Sequence, residues 1–329
     1  RSNVTDRRTH LRRSVRATLC SAAVACTALA SVLVTAPAEA APCSNTGTGS
    51  SLLGSSGSTG SSGSSGSADI FGSAGSSGSG GARPSGPQGP LPIYVTPTSR
   101  VVSWVTGPRS PNSTFNRFGI SGTDLGIGWD NGSGQTLMAF GDTFGNCSVA
   151  GQQWRHNVLF RTNDTDLGNG ITVPNGVAGD SRSGTVIAAG KPNFAQEIIP
   201  ALGISGVEVT DIPTAAISVP WQGGTRQFIN YMSVRSWGSA GHWVTNFSAI
   251  AHSDDNGQTW TTDQDTILIN APLNLALPLG IPPVNYNNGK FQQNAYVRGH
   301  AAAGTDDGDY IYQFGTPNGR FGAGFLARF

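Results

Sequence analysis

The chain has 329 residues, is only 12% charged, contains 46 glycines and carries a net charge of +1. That total hides a division: residues 1–40 hold six arginines against Asp6 and Glu39, net +4, which leaves −3 for everything after them. A mildly acidic body without a basic run offers no electrostatic footprint for nucleic acid and no polybasic patch for a membrane surface.

Arg7, Arg8, Arg12, Arg13 and Arg16 make a basic head, an uncharged small and apolar run follows from Ala17 to Ala36, and Ala38-Glu39-Ala40 has the small-x-small form of a cleavage site. The pattern predicts a signal peptide over residues 1–40, read by the Sec route, with Arg7-Arg8 as a loose twin-arginine variant. The run's many Ala, Ser and Thr residues and the cleavage site argue against a stable membrane anchor. The protein is therefore expected to be secreted or associated with the cell wall. Cys20 and Cys26 fall in the signal; Cys43 and Cys147 remain, either bridged in an oxidising compartment or free.

Residues 41–90 are dominated by Ser and Gly and predict a disordered tether, because such a composition cannot bury enough apolar surface to offset the entropy of ordering. From Leu91 to Phe329 the composition is that of one folded domain with a sizeable core. No stretch has sustained helical periodicity. Short β-rich runs appear at Arg100–Val105, Thr136–Phe140, Ala215–Val219, Phe228–Val234 and Tyr310–Phe314. Asp130-Asn131-Gly132, Asn169-Gly170, Asp254–Gly257, Asn287-Asn288-Gly289 and Asp306-Asp307-Gly308 supply turns between them. The expected fold is all-β: a sandwich, barrel or propeller. Ser253-x-Asp255-x-Gly257-x-x-Trp260 has the Asp-box pattern of propeller hairpins, in which Asp and Ser bond turn amides and Gly takes positive φ. That motif is structural, and Asp255 is not assigned to catalysis.

Asp124 and Asp142 sit at the two ends of the segment that contains the Thr136–Phe140 run, each beside glycines. If that segment is a β-hairpin arm, both carboxylates reach one rim, where a pair can perform general acid and base or nucleophile work on a glycosidic bond; otherwise they cap turns. Trp154 is a candidate to stack on a sugar face, with Arg155 and Asn157 to bond hydroxyls. Arg235, Trp237 and Arg298 are further candidates to bind the substrate; the two arginines lie in apolar strand patterns and are also expected to pair with carboxylates. His156, His242, His252 and His300 have no metal-ligand spacing, so neither metal nor cofactor is expected, and the chain is expected to be a monomer.

Five ordered blocks carry a family resemblance: Thr123–Gly126, Phe140–Gly145, Trp154–Leu159, Tyr231–Gly238 and Phe314–Arg320. Over about residues 94–329 the chain resembles actinobacterial members of the DUF4185 family, identified as endo-D-arabinanases of glycoside hydrolase family 183. The resemblance implies a five-bladed β-propeller that cleaves α-D-arabinofuranosyl linkages within mycobacterial-type arabinogalactan and lipoarabinomannan, with the family aspartates falling on Asp124 and Asp142. Glu208 is a possible third carboxylate of that site. Family domains continue beyond the Phe325–Arg328 stretch, so the expected propeller is incomplete at its C-terminal end. A catalytically silent arabinan-binding module, or a structural surface protein, is the competing reading.

Overall fold

The computed structural model of the chain describes residues 98–107, 110–124, 126–146, 149–276, 283–300, 304 and 307–329. The signal segment, the Ser/Gly tether, Cys43 and Cys147 lie outside the described residues.

The described chain is built almost entirely of antiparallel strands, with one five-residue helix, α1 (Thr114–Phe118), closed by Gly119 at φ 62°. Strands β1 (Gly122–Thr123) and β4 (Thr143–Phe144) pair with each other. Between them β2 (Gly126–Asp130) and β3 (Thr136–Phe140) form a hairpin, and β5 (Val158–Thr162) adds to the far side of β3. The second sheet is a meander of β6 (Thr210–Trp221), β7 (Gly224–Trp237), β8 (Trp243–Ser253) and β9 (Thr261–Ile269). The third holds β10 (Gln293–Arg298), β11 (Ile311–Thr316) and β12 (Phe325–Arg328), again in chain order.

Strand β3 explains how the layers stack. Its side chains alternate between faces, and both faces are buried. Leu137 and Ala139 join Leu159, Ile229, Tyr231, Ala249 and Ala251 in a core between the first and second sheets. Met138 and Phe140 turn the other way, onto Phe118, Ile120, Phe160 and Val173. The second and third sheets meet through a buried polar layer instead. Thr245 donates to Gln292 at 2.7 Å, and Asn294 donates to Asn230 at 2.8 Å.

The Asp-box is the hairpin between β8 and β9. Ser253 Oγ accepts from Gly257 N at 2.8 Å, Asp255 Oδ1 accepts from Thr259 N at 2.8 Å, and Trp260 Nε1 donates to Gly257 O at 3.1 Å. The tip of this hairpin docks on the first sheet: the fully buried Arg161 donates to Asn256 O at 2.8 Å and to Ser183 O at 3.1 Å.

Two expectations change. Arg100–Val105 is β-rich in composition but forms no strand. Ser110 Oγ donates to Val105 O at 2.7 Å and Asn112 Nδ2 donates to it at 3.2 Å, so side chains satisfy a carbonyl that a ladder would otherwise need. Asn287-Asn288-Gly289 is not a tight hairpin turn but part of a 3-10 helix, Tyr286–Lys290. The all-β class holds; among the described residues the three meanders do not close a ring.

Candidate active site

Asp124 and Asp142 flank the β2–β3 hairpin and are joined through their main chains. The N–H of Asp124 donates to Asp142 O at 2.8 Å, and the N–H of Gly141 donates to Asp124 O at 2.9 Å. Two residues thus face one, the pattern of a β-bulge, a device that re-aims side chains at sheet rims. Space beside Gly141 is tight: a Cβ there would sit 3.2 Å from Ile212 Cγ2 of β6.

On the other side of Asp142, Thr143 and Arg155 exchange main-chain hydrogen bonds at 2.9 Å each. Three extended segments therefore lie side by side, carrying Asp124, Asp142 and the Trp154–Asn157 run. Along that run the side chains alternate. Trp154 and His156 share one side, their rings 4.5 Å apart. Arg155 and Asn157 point into the protein, where both are buried.

Asp142 is only 7% exposed. Its Oδ1 accepts from Trp154 Nε1 at 3.1 Å and from the hydroxyl of Thr210, the first residue of β6. Burial pushes its carboxyl up to about 6; the two donors pull it down, the Asp124 charge raises it further, and His156 lowers it. Burial outweighs the hydrogen bonds because a charge removed from water loses more than two donors return. Asp124 is half-buried.

Three more acids lie around His156 and Asp142. Glu197 Oε2 accepts from His156 Nδ1 at 2.5 Å and from the His156 main-chain N–H at 2.9 Å. Burial disfavours the charge on both partners, yet their mutual hydrogen bond prevails, so the imidazole is shifted up and the carboxyl down. Glu208 accepts from Leu202 N at 2.6 Å and from the Ser233 hydroxyl. Asp211, 1% exposed, is pushed well above the usual carboxylate range by burial, then by the charge of Glu208 and a hydrogen bond to it. Among the described residues no group of three or more His, Cys, Asp or Glu is arranged to hold a metal ion.

Residues 109–329 match the family described as a domain of unknown function, DUF4185. The chain belongs to the DUF4185 family. No curated protein matches it. Two solved structures are similar at low TM-score. One is a protein of unknown function from Dyadobacter fermentans, with 11% identity and TM-score 0.26 over 61% of this chain and 47% of that one. The other is a candidate hydrolase from Bacteroides ovatus, with 11% identity and TM-score 0.24 over 63% of this chain and 66% of that one. The chain spans about half the length of the Dyadobacter protein. Neither likeness carries an argument about this site.

Within this DUF4185 domain the residues singled out from sequence divide. Asp124, Asp142 and Trp154 adjoin one another through the contacts above, whereas Glu208 bonds Leu202 N and the Ser233 hydroxyl and lies beside Asp211. Arg155 does not offer its head group to that cluster. It donates to Gly119 O at 2.6 Å and Ala195 O at 3.1 Å, and its guanidinium lies 4.3 Å from the Phe194 ring centroid. Asn157 is equally committed, donating to Ile199 O at 3.1 Å and Asp211 O at 3.2 Å and accepting from Ile198 N and Ile199 N at 3.1 and 2.8 Å. Both hold loops in place from within the protein. Trp237 packs edge-on against Trp243, with centroids 5.9 Å apart, beside Ile212, Met232 and Val234. Arg235 is half-buried and Arg298 is an exposed strand end. Neither makes the expected ion pair with a carboxylate among the described residues, because each retains access to water and needs no buried counter-ion.

Sequence reasoning missed His156, Glu197 and Asp211 as members of the site. The alternation of Trp154-Arg155-His156-Asn157 was the available signal: choosing Trp154 selects His156, two residues on, and excludes its neighbours.

Proposed function

We propose that this DUF4185 domain is a glycoside hydrolase that cuts within chains of α-D-arabinofuranosyl units in mycobacterial-type cell-wall arabinan, using Asp142 and Asp124. The observation that carries the reading is Asp142 itself: a buried carboxyl, held near pKa 6 at the edge of an exposed indole, with a second carboxylate on the adjoining segment. A carboxylic acid that keeps its proton near pH 6 suits protonation of a departing glycosidic oxygen. Oδ1 of Asp142 is occupied by two donors, and Oδ2 makes no hydrogen bond among the described residues, so Oδ2 is the oxygen that delivers the proton. Asp124 is then the nucleophile or base. Trp154, 38% exposed, offers a flat apolar face to a furanose ring.

The arabinan assignment rests on family membership together with the five sequence blocks. The three in-order meanders and the Asp-box hairpin support the finer fold reading, a five-bladed propeller with this cluster at its cleft. The arginine-headed segment and the Ser/Gly tether support export and a wall-facing location.

The test is incubation of the exported protein with purified arabinogalactan, followed by chromatography of released oligosaccharides. Wild type is expected to release internal fragments. D142N and D124N are expected to bind the polysaccharide without cutting it. Binding by wild type with no release under any pH would leave a recognition module in place of the hydrolase.

A further inference from the structure

His156 and Glu197 remain outside the two-aspartate chemistry, yet the fold fixes them closely. The run from Trp154 to Asn157 is extended, and the Glu197–Ile199 segment is fastened to it residue by residue. Asn157 Oδ1 accepts from Ile198 N at 3.1 Å and Ile199 N at 2.8 Å. Next to that clamp, one oxygen of Glu197 receives both the main-chain N–H of His156 at 2.9 Å and its ring Nδ1 at 2.5 Å. The imidazole is therefore fixed at its Nδ1 edge, and its ring centroid lies 4.5 Å from that of Trp154 at an interplanar angle of 51°. Nε2 makes no hydrogen bond among the described residues, and the imidazole is about one-fifth exposed (21%).

We infer that His156 and Glu197 form a positioning pair for this site: Glu197 pins the Nδ1 edge of the imidazole beside Trp154, the indole that also bonds Asp142, and leaves the Nε2 edge for the bound sugar. The inference rests on the hydrolase reading above and adds a third functional side chain to it. The same indole that contacts His156 donates to Asp142 at 3.1 Å, so one ring links the pair to the acid. The charged groups that act on His156 are Glu197, Asp142 and Glu208, and all three favour the imidazolium. Behind Glu197, the Arg155 guanidinium feels the same carboxylate. The imidazolium in turn counteracts the burial of Asp142. Without it the acid would hold its proton more tightly and release it more slowly to a leaving group.

The test follows the Asp142 carboxyl directly, by carbon NMR of the full protein labelled at aspartate carboxyls, assigned by the signal missing from D142N. H156Q removes the charge at similar size. E197Q keeps an acceptor for the main-chain N–H but no longer stabilises the imidazolium. In both variants the Asp142 midpoint is expected to rise by about half a pH unit or more, a threefold change in proton affinity. The alkaline limb of kcat/KM for arabinan release is expected to move up with it, whereas a merely structural role would lower the whole profile without displacing its limb. Should H156Q fail to fold, E197Q decides. A midpoint unmoved in the folded variant overturns the pair. Absence of oligosaccharide release by wild type overturns the hydrolase instead, and leaves the carboxyl titration as the measure of the pair.

Discussion

The indole Nε1 of Trp154 donates to Asp142 Oδ1 at 3.1 Å while 38% of the Trp154 surface remains exposed. One side chain thus combines a hydrogen bond to the Asp142 carboxyl with an exposed aromatic face, which the proposed function assigns to the sugar. Substitution separates the two roles. W154F keeps a flat ring but removes the donor, which stabilised the ionised carboxylate, so the alkaline limb of kcat/KM is expected to rise above its wild-type position with little change in KM. W154A loses the face as well, and KM for arabinan fragments is expected to increase about tenfold, the equivalent of roughly 1.4 kcal/mol of stacking. Steady-state kinetics across pH checks both.

D142N is expected to be inactive and yet more stable at neutral pH. The folded carboxyl is raised from 3.8 to about 6 by burial. Stability from that group is therefore fully present below about pH 4 and is lost as pH rises through 6, where the buried charge must form. Asparagine never carries the charge, and its side-chain oxygen still accepts from Trp154 and Thr210. Thermal or urea unfolding should show D142N ahead of wild type by up to about 2–3 kcal/mol at pH 7.5, with the gap closing near pH 4.

R155A is expected to act on folding and not on substrate affinity. Its guanidinium serves the carbonyls of Phe118, Gly119 and Ala195, and the residue is 5% exposed. Truncation would leave buried acceptors without donors, a loss of about 3 kcal/mol or more. Urea unfolding should show that loss, while KM of the folded fraction stays within about twofold of wild type, because the guanidinium is turned into the protein, away from the Trp154 face.

G257A in the Asp-box is expected to destabilise strongly. The residue has φ +79°, and an added Cβ would meet Leu159 Cδ2 at 2.5 Å, inside the main core. The combined strain and overpacking are expected to cost about 2–4 kcal/mol. Unfolding curves would register this, and arabinan cleavage per folded molecule would not change.

How much of this was legible from sequence depends on whether a signal is local. Thr136–Phe140 reads as a strand and is one, because a run of apolar residues between turn formers has few alternatives. The turn at Asp254–Gly257 reads equally well, since Ser253, Asp255 and Gly257 satisfy that turn among themselves. Arg100–Val105 reads as a strand and is not one, because the acceptors' partners arrive from Ser110 and Asn112 and no composition reports them. The aspartates were visible as residues at the ends of one hairpin arm. What surrounds them was not: Glu197 reaches His156 from 41 residues away, and Thr210 reaches Asp142 from 68. Arg155 suits a sugar by its type, but strand alternation assigns it to the opposite face from Trp154.

The bulge that ties Asp124 to Gly141 and Asp142 leaves the spacing of the two carboxyl groups almost entirely to their own side chains. Main-chain hydrogen bonds at 2.8 and 2.9 Å prevent the strands from sliding or spreading. In a glycoside hydrolase, whether configuration at the anomeric carbon is kept or flipped depends on that spacing, through a difference of only a few ångströms. A descendant could therefore cross from one stereochemical course to the other most simply by exchanging aspartate for glutamate, one bond of about 1.5 Å at a time, with the surrounding loops left as they are.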